Sequence, residues 1–266
     1  MVVKYLDMNN GYPTNLTDSQ WQILQKLLEP ATARRRKYPL RSIVNAILYI
    51  SKAGCQWRML PQDLPPYNLV FYYFTKWRRE GLIEALMDAL RDMVRLERGR
   101  ESSPSLGIID ARSVSTTQHV SAERGIDGHK RVKGRKVQLV VDTLGLPLAV
   151  TAHEANIHDS KGAAGALEAM RFKYPRLKKI LADAGYAGEE LREMAQRLLG
   201  CALEVVRRPD ECPKLFSVIP KRWIVERSFG WLIASRRLAR DYEFYADTAV
   251  AMTQFVFIRI MLNRFS

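Results

Sequence analysis

Apolar residues in the first hundred positions return at helical spacing, and beyond about residue 105 they alternate or gather in short runs. Trp21, Ile23, Leu24, Leu27 and Leu28 mark one helical face, with Thr17 and Asp18 offering an N-cap and Pro30 a stop. LRSIVNAILYISKAG repeats the period and closes on Gly54, a residue suited to a left-handed C-terminal cap. After the proline-rich turn LPQDLPPYN come LVFYYFTKWRREG, ended by Gly81, and LIEALMDALRDMVRLERG. Four helices with short connections predict a small all-α domain of helix-turn-helix type over residues 1–102.

Around ESSPS the period changes from 3.6 to 2, which sets a boundary and a second domain over 103–266. SLGIID, KGRKVQLVVD and LPLAVTAHEA read as a meander of three strands, the last two joined by a tight turn at Thr143, Leu144 and Gly145. Asp159 or Ser160 then caps a helix through GAAGALEAMRF. LKKILADAG reads as a fourth strand, GEELREMAQRLLG as a helix and CALEVVRR as a fifth strand. A last helix from about Lys221 carries WIVERSFGWLIASRRLARDYE. That order predicts an α/β ribonuclease H-like catalytic domain, a mixed five-stranded sheet with helices.

Composition narrows the class. A chain of 266 residues with 47% hydrophobic content supplies a substantial core. No run of eighteen uncharged apolar residues occurs, and the start MVVKYLDMNNGYPTN lacks the pattern of a signal peptide, so a cytoplasmic, nucleoid-associated protein with no membrane partner is expected. A net charge of +14, shared by both halves, points to a polyanion, nucleic acid before membrane. Cys55, Cys201 and Cys212 are far apart with no CxxC spacing, which favours buried structural thiols over a disulfide frame or zinc site.

Two carboxylates follow apolar runs, Asp110 after LGII and Asp183 after KKILA. In the ribonuclease H-like order their strands are neighbours, so both acids meet at one sheet edge. Glu226 in RWIVERSFGW brings a third from the last helix, on the face shared with Arg222 and Ile233. Singly, each acid reads better as a strand-end turn residue or a solvated helix position; the joint pattern reverses that preference and suits metal-assisted phosphodiester chemistry. In-line displacement is helped by two divalent ions about 3.5–4 Å apart, and Mg²⁺ prefers oxygen ligands.

Long blocks then resemble a known family: GCQWRMLPQDLPPYNLVFYYFTKW, IIDARSV, RGIDGHKRVKGRKVQLVVDTLGLPLAV, TAHEANIHDSKGA, LADAGYAG and RWIVERSFGWLIASRRLARDYE. They resemble bacterial insertion-sequence transposases of the DDE type, in the subgroup with a short, uninterrupted catalytic domain. The resemblance covers nearly the whole chain. It implies a catalytic and metal-binding triad of Asp110, Asp183 and Glu226 holding two Mg²⁺ or Mn²⁺ ions. It implies binding of double-stranded DNA at the element's terminal inverted repeats, metal-dependent cleavage, strand transfer into target DNA, and at least a homodimer in a paired-end complex. Arg222 matches the family's arginine, whereas Ile219 and Ile233 stand where a tyrosine and a lysine are usual, and Arg236 and Arg237 are substitutes for the lysine's phosphate contact. A non-catalytic DNA-binding repressor of the same descent is the alternative, and a host nuclease of the same fold a third; the intact acids argue against the repressor.

Basic clusters supply candidate DNA contacts. Arg124, Lys130, Arg131, Lys133, Arg135 and Lys136 crowd one connection and strand start, expected to grip phosphates beside the metal site. In LVFYYFTKWRREG, Lys76, Arg78 and Arg79 reach towards DNA while Phe71, Phe74 and Trp77 pack inward, which makes this helix the expected end-recognition element. Arg34, Arg35, Arg36 and Lys37 form a phosphate-binding or merely solvated loop. His153 and His158 are assigned structural roles, with Asn156 and His158 near the catalytic edge, and Asp142 is placed in a hairpin turn rather than at a metal.

Overall fold

The structure, a computed structural model, describes residues 11–28, 37–117, 123–206 and 221–265. Pro30, Arg34 to Arg36, Cys212 and Ile219 lie outside the described residues. Four helices come first: α1 (Asp18–Leu28), α2 (Leu40–Ala53), α3 (Tyr67–Arg79) and α4 (Leu82–Glu97). Thr17 and Gln20 close a reciprocal box at the start of α1. The Gln20 amide N–H donates to Thr17 Oγ1 at 3.2 Å and the Thr17 N–H to Gln20 Oε1 at 3.1 Å, which satisfies two otherwise orphaned groups. Gly54 ends α2 with φ +72°, its N–H returning to the Ile50 carbonyl. The tight link Glu80–Gly81 folds α4 back against α3. The connection from α2 to α3 is longer, with a single 3-10 turn at Trp57–Met59.

The sheet contains β1 (Leu106–Ser115), β2 (Gly125–Asp127), β3 (Val132–Val141), β4 (Pro147–Glu154), β5 (Lys179–Ala182) and β6 (Ala202–Val205). Their order is β2-β3-β1-β5-β6, and β4 pairs along the same edge of β3 as β2, opposite β1. The meander is antiparallel, and β5 and β6 add in parallel. Between these strands run α5 (Asp159–Ala169) and α6 (Glu189–Leu199), and after the sheet come α7 (Trp223–Ile233) and α8 (Ala246–Leu262). This is the ribonuclease H-like arrangement that the element order predicts, with the short strand β2 added. At the β3–β4 turn, Asp142 is fully buried, accepts the N–H groups of Leu144 and Leu146 at 2.8 Å each, and pairs with Arg95 of α4. Gly145 supplies the left-handed residue, φ +80°.

The two sides of the sheet face different cores, because strand side chains alternate. Ile108, Leu139 and Val141 point to the side covered by α7, α8 and the N-terminal helices, whereas Ile109, Val140 and Ile180 point to α5 and α6. The first of these cores contains residues from both sides of the expected boundary near 102, including Leu24, Ile47, Phe74, Leu90, Phe229 and Phe257. The helical segment is therefore docked on the sheet through α8, not tethered beside it.

Three expectations change. The last helix does not run through to Glu243. It stops at Ile233, where Lys52 donates to the Ala234 carbonyl at 2.6 Å, and a 3-10 turn at Arg236–Leu238 packs against the end of α2. The chain then forms α8, whose Met252, Phe257, Met261 and Leu262 are wholly buried. Each such side chain contributes about 1.5–3 kcal/mol on leaving water. Asp110 does not end its strand, since β1 continues to Ser115 along β3 while its pairing with β5 stops. Phe71 lies outside the core, edge-on to Trp57 at 5.1 Å, while Phe74 and Trp77 are buried as expected.

Candidate active site

β1 and β5 run in parallel with Leu106 opposite Lys179 and Ile108 opposite Leu181. Continuing that register by two residues brings Asp110 level with Asp183. Asp110 shares the α7 side of the sheet with Ile108, and its Oδ1 accepts the Ala111 N–H at 2.8 Å. Asp183 sits where β5 gives way to a 3-10 turn, Ala184–Tyr186, and its side chain caps that turn by accepting the Gly185 N–H at 2.9 Å. Glu226 projects from the first turn of α7.

The three acids meet at Arg222, immediately before α7. One guanidinium nitrogen of Arg222 lies 2.9 Å from Asp183 Oδ2. The other lies 3.2 Å from Asp110 Oδ2 and 3.6 Å from Glu226 Oε1. The Arg222 side chain is 11% exposed, against 61% for Glu226, so its charge is spent inward. Burial pushes the Asp110 carboxyl up to about 6. Neighbouring Asp183 pushes the same way, while Arg222, the Ala111 N–H and Lys130 pull it back.

A second network lies on the α5 side and supports the turn that carries Asp183. Buried Tyr186 donates its hydroxyl to Gln138 Oε1 at 2.7 Å, and Gln138 Nε2 donates to the Asp159 carbonyl at 3.2 Å. Lys136 reaches Asp159 at 2.9 Å and the Ile157 carbonyl at 3.0 Å. Burial, with Asp110, Asp159 and Asp183 nearby, holds the Tyr186 phenol well above its ordinary range, hence neutral and a donor. His158, rather than Asp159 or Ser160, caps α5 through the Ser160 N–H. His153 packs on Gly162, with Nδ1 at 2.9 Å from the Glu154 carbonyl. Both histidines are held by local hydrogen bonds, and Asn156 and His158 line a hollow with Lys130, Asp159 and Gly185 beside the three acids. Sequence reasoning missed Tyr186, Gln138 and Asp159 as supports. LADAGYAG places Tyr186 next to Asp183, but only folding brings Gln138 beneath it.

The expected DNA contacts divide. Lys130, Arg131 and Lys133 are exposed at the β2–β3 hairpin, Arg236 is exposed after α7, and Lys76 and Arg79 are exposed on α3. Five others turn inward, the first of them Arg222, which was also expected to contact DNA and is instead paired with the three acids. Arg135 is fully buried, donating to Asp241 at 2.6 Å and to the carbonyls of Glu243, Phe244 and Glu123. Lys136 is committed to Asp159. Arg237 is buried against Glu243 at 2.6 Å and the Cys55 carbonyl. Arg78, its side chain 16% exposed, pairs with Asp247 of α8. Alternation explains Arg135 and Lys136: on a strand covered on both sides, neither direction leads to water.

The donor chemistry fits a hard divalent cation. Three carboxylates surround the one positive charge of Arg222. As the side chains stand, no three His, Cys, Asp or Glu groups among the described residues are close enough to share a metal, since Arg222 lies between the acids. Asp110, Asp183 and Glu226 are the residues that would hold it.

A mixed sheet of this order, with three acids gathered at the edge where β1 and β5 part, is the architecture of a DDE catalytic domain. Residues 101–261 match the family model of the transposase DDE domain, and residues 16–87 match a family model described as "Putative transposase of IS4/5 family". The first match spans more than half of the chain, which therefore belongs to the DDE transposase family. An uncharacterized protein of Sinorhizobium fredii, y4sN, is 25% identical over 115 residues, covering 42% of this chain and 86% of that protein. No helix among the described residues is long and apolar enough to cross a membrane.

Proposed function

We propose that the protein is an insertion-sequence transposase that binds the terminal inverted repeats of its element, cleaves DNA at their ends and transfers the freed 3′ ends to target DNA. The observation that carries this reading is the convergence of Asp110, Asp183 and Glu226 on the single guanidinium of Arg222 at the sheet edge. Two Mg²⁺ or Mn²⁺ ions held there would activate the attacking oxygen and steady the leaving one.

The protein's own residues supply binding and alignment. Asp110 and Asp183 each have one oxygen fixed by a backbone N–H, which leaves the other oxygen of each facing the Arg222 guanidinium. Glu226 is carried by a helix packed on β1 and β3, which keeps the third oxygen in range. Lys130, Arg131 and Lys133 provide phosphate contacts beside the acids. On α3, Asn68, Tyr72, Lys76 and Arg79 share the exposed face and are the candidates to read an element end. A homodimer or larger paired-end complex belongs to the same proposal, as does activity in the cytoplasm on the nucleoid.

The test is incubation with a duplex bearing the element's end in Mg²⁺, Mn²⁺ or EDTA. Nicking at the boundary with either ion, lost in EDTA and in Asp110→Asn while end binding survives, is the expected result. Cleavage that persists in Asp110→Asn would overturn the site, and end binding without cleavage under any condition would favour a repressor.

A further inference from the structure

The position of Arg222 has a consequence for how the site fills. Three carboxylates carry three negative charges, and one guanidinium returns one positive charge, which leaves the cluster two charges short of neutral. Arg222 is also imperfectly satisfied: its inward nitrogen is close to Asp183 yet has no well-aligned hydrogen-bond partner. The residue before it, Lys221, has φ +67°, a left-handed backbone unusual for a lysine, so Arg222 enters the cluster from a strained turn. Such a group is well placed to hold the acids together and poorly placed to be their final partner.

We propose that Arg222 is the resident counter-cation of the triad, holding Asp110, Asp183 and Glu226 together until divalent ions take its place, and then swinging outward. This rests on the metal-dependent reading of the site. Arg222 is a positioning residue here, acting through the three acids. Without a cation among them the acids would repel one another and spread. With the guanidinium among them they stay gathered, but an ion must displace it to bind. Displacement turns a buried positive charge towards solvent at the edge beside Lys130, where a DNA phosphate can receive it. Metal loading and readiness for DNA would thus be linked through one side chain. By reciprocity, whatever draws Arg222 outward tightens metal binding.

Two measurements on the purified full chain test this without DNA or turnover. Arginine modification by phenylglyoxal, read by peptide mass spectrometry, is expected to find Arg222 protected in EDTA and at least about fivefold more reactive at saturating Mn²⁺, with buried Arg135 protected in both. Calorimetric titration is expected to show Arg222→Gln binding Mn²⁺ about tenfold more tightly than the unmodified protein, Arg222→Lys falling between, and Asp110→Asn losing the isotherm. Protection of Arg222 that persists with Mn²⁺ bound, or affinity in Arg222→Gln equal to or below that of the unmodified protein, overturns the proposal while leaving the metal site standing. Absence of Mn²⁺ binding in every protein overturns the metal reading and this inference together. The modification experiment needs no variant, so a misfolded Arg222→Gln does not decide the matter.

Discussion

Replacing Arg135 by methionine separates an internal role from a DNA contact at a residue whose sequence context argues for the latter. The guanidinium is fully buried on β3. It serves four acceptors: the Asp241 carboxylate at 2.6 Å, the Glu243 and Phe244 carbonyls at 2.9 and 2.6 Å, and the Glu123 carbonyl at 2.8 Å. The first three acceptors lie on the segment that leads from α7 to α8, which is also joined to the end of β1 by the Asp241 N–H on the Ser115 carbonyl. Methionine fills much of the volume but leaves Asp241, itself buried, without its positive partner. Breaking one side of a buried pair typically costs about 3–5 kcal/mol. In a chain of this size, at about 2–4 °C per kcal/mol, that lowers the melting temperature by roughly 6–20 °C. Replacing both partners, Arg135→Met with Asp241→Leu, is expected to recover part of the loss, because no charge is then stranded. Urea unfolding and scanning calorimetry measure both. A single variant within about 1 kcal/mol of the parent, combined with weakened DNA binding, would refute the internal assignment and return Arg135 to the DNA surface.

Other outcomes follow from the same geometry. Lys130→Ala and Lys133→Ala should leave stability within about 0.5 kcal/mol while each lowers the slope of log affinity against log salt for DNA by about one; unchanged slopes in filter binding would exclude them as phosphate contacts. Divalent-ion affinity should fall about tenfold per pH unit as pH drops below about 6, because a proton on Asp110 then competes with the ion, and titration calorimetry between pH 5 and 8 would show a flat profile if it does not. In the metal-free protein the sign is opposite for stability. The folded value lies above the ordinary 3.8, so this group's contribution is fully present below about pH 4 and is lost as pH rises through about 6. Gly54→Ala should destabilise by about 1 kcal/mol or more, since φ is +72° and the added carbon would stand 2.9 Å from Arg236 Cβ; an unchanged melting temperature would show that the α2 end and the 3-10 turn give way freely.

Local pattern alone carried much of this protein. Helical spacing placed the four N-terminal helices, the change to period 2 placed the meander, and the turn residues around Asp142 and Gly145 marked the hairpin, because these features depend on neighbours within a few positions. The pairing of Asp110 with Asp183 was legible too: of the three apolar runs that end in an acid, the one at Asp142 leads into a hairpin turn, and the β1–β5 register makes the offset of the other two the same as that from Leu106 to Lys179. Helix α8 was not legible. Thr248 to Leu262 is apolar around nearly its whole circumference, so no stripe announces a buried side, and only the N-terminal helices, β4 and α7 packing around it define its place. The fate of the basic residues was likewise decided in three dimensions. Charge is a property of composition, but whether Lys133 meets water and Arg135 meets Asp241, two residues apart on the same side of β3, depends on how far along that side a segment more than a hundred residues away extends. Arg222 is the sharpest instance: sequence places it one helical turn before Glu226, whereas only the joined edge of two distant strands puts its charge among three acids.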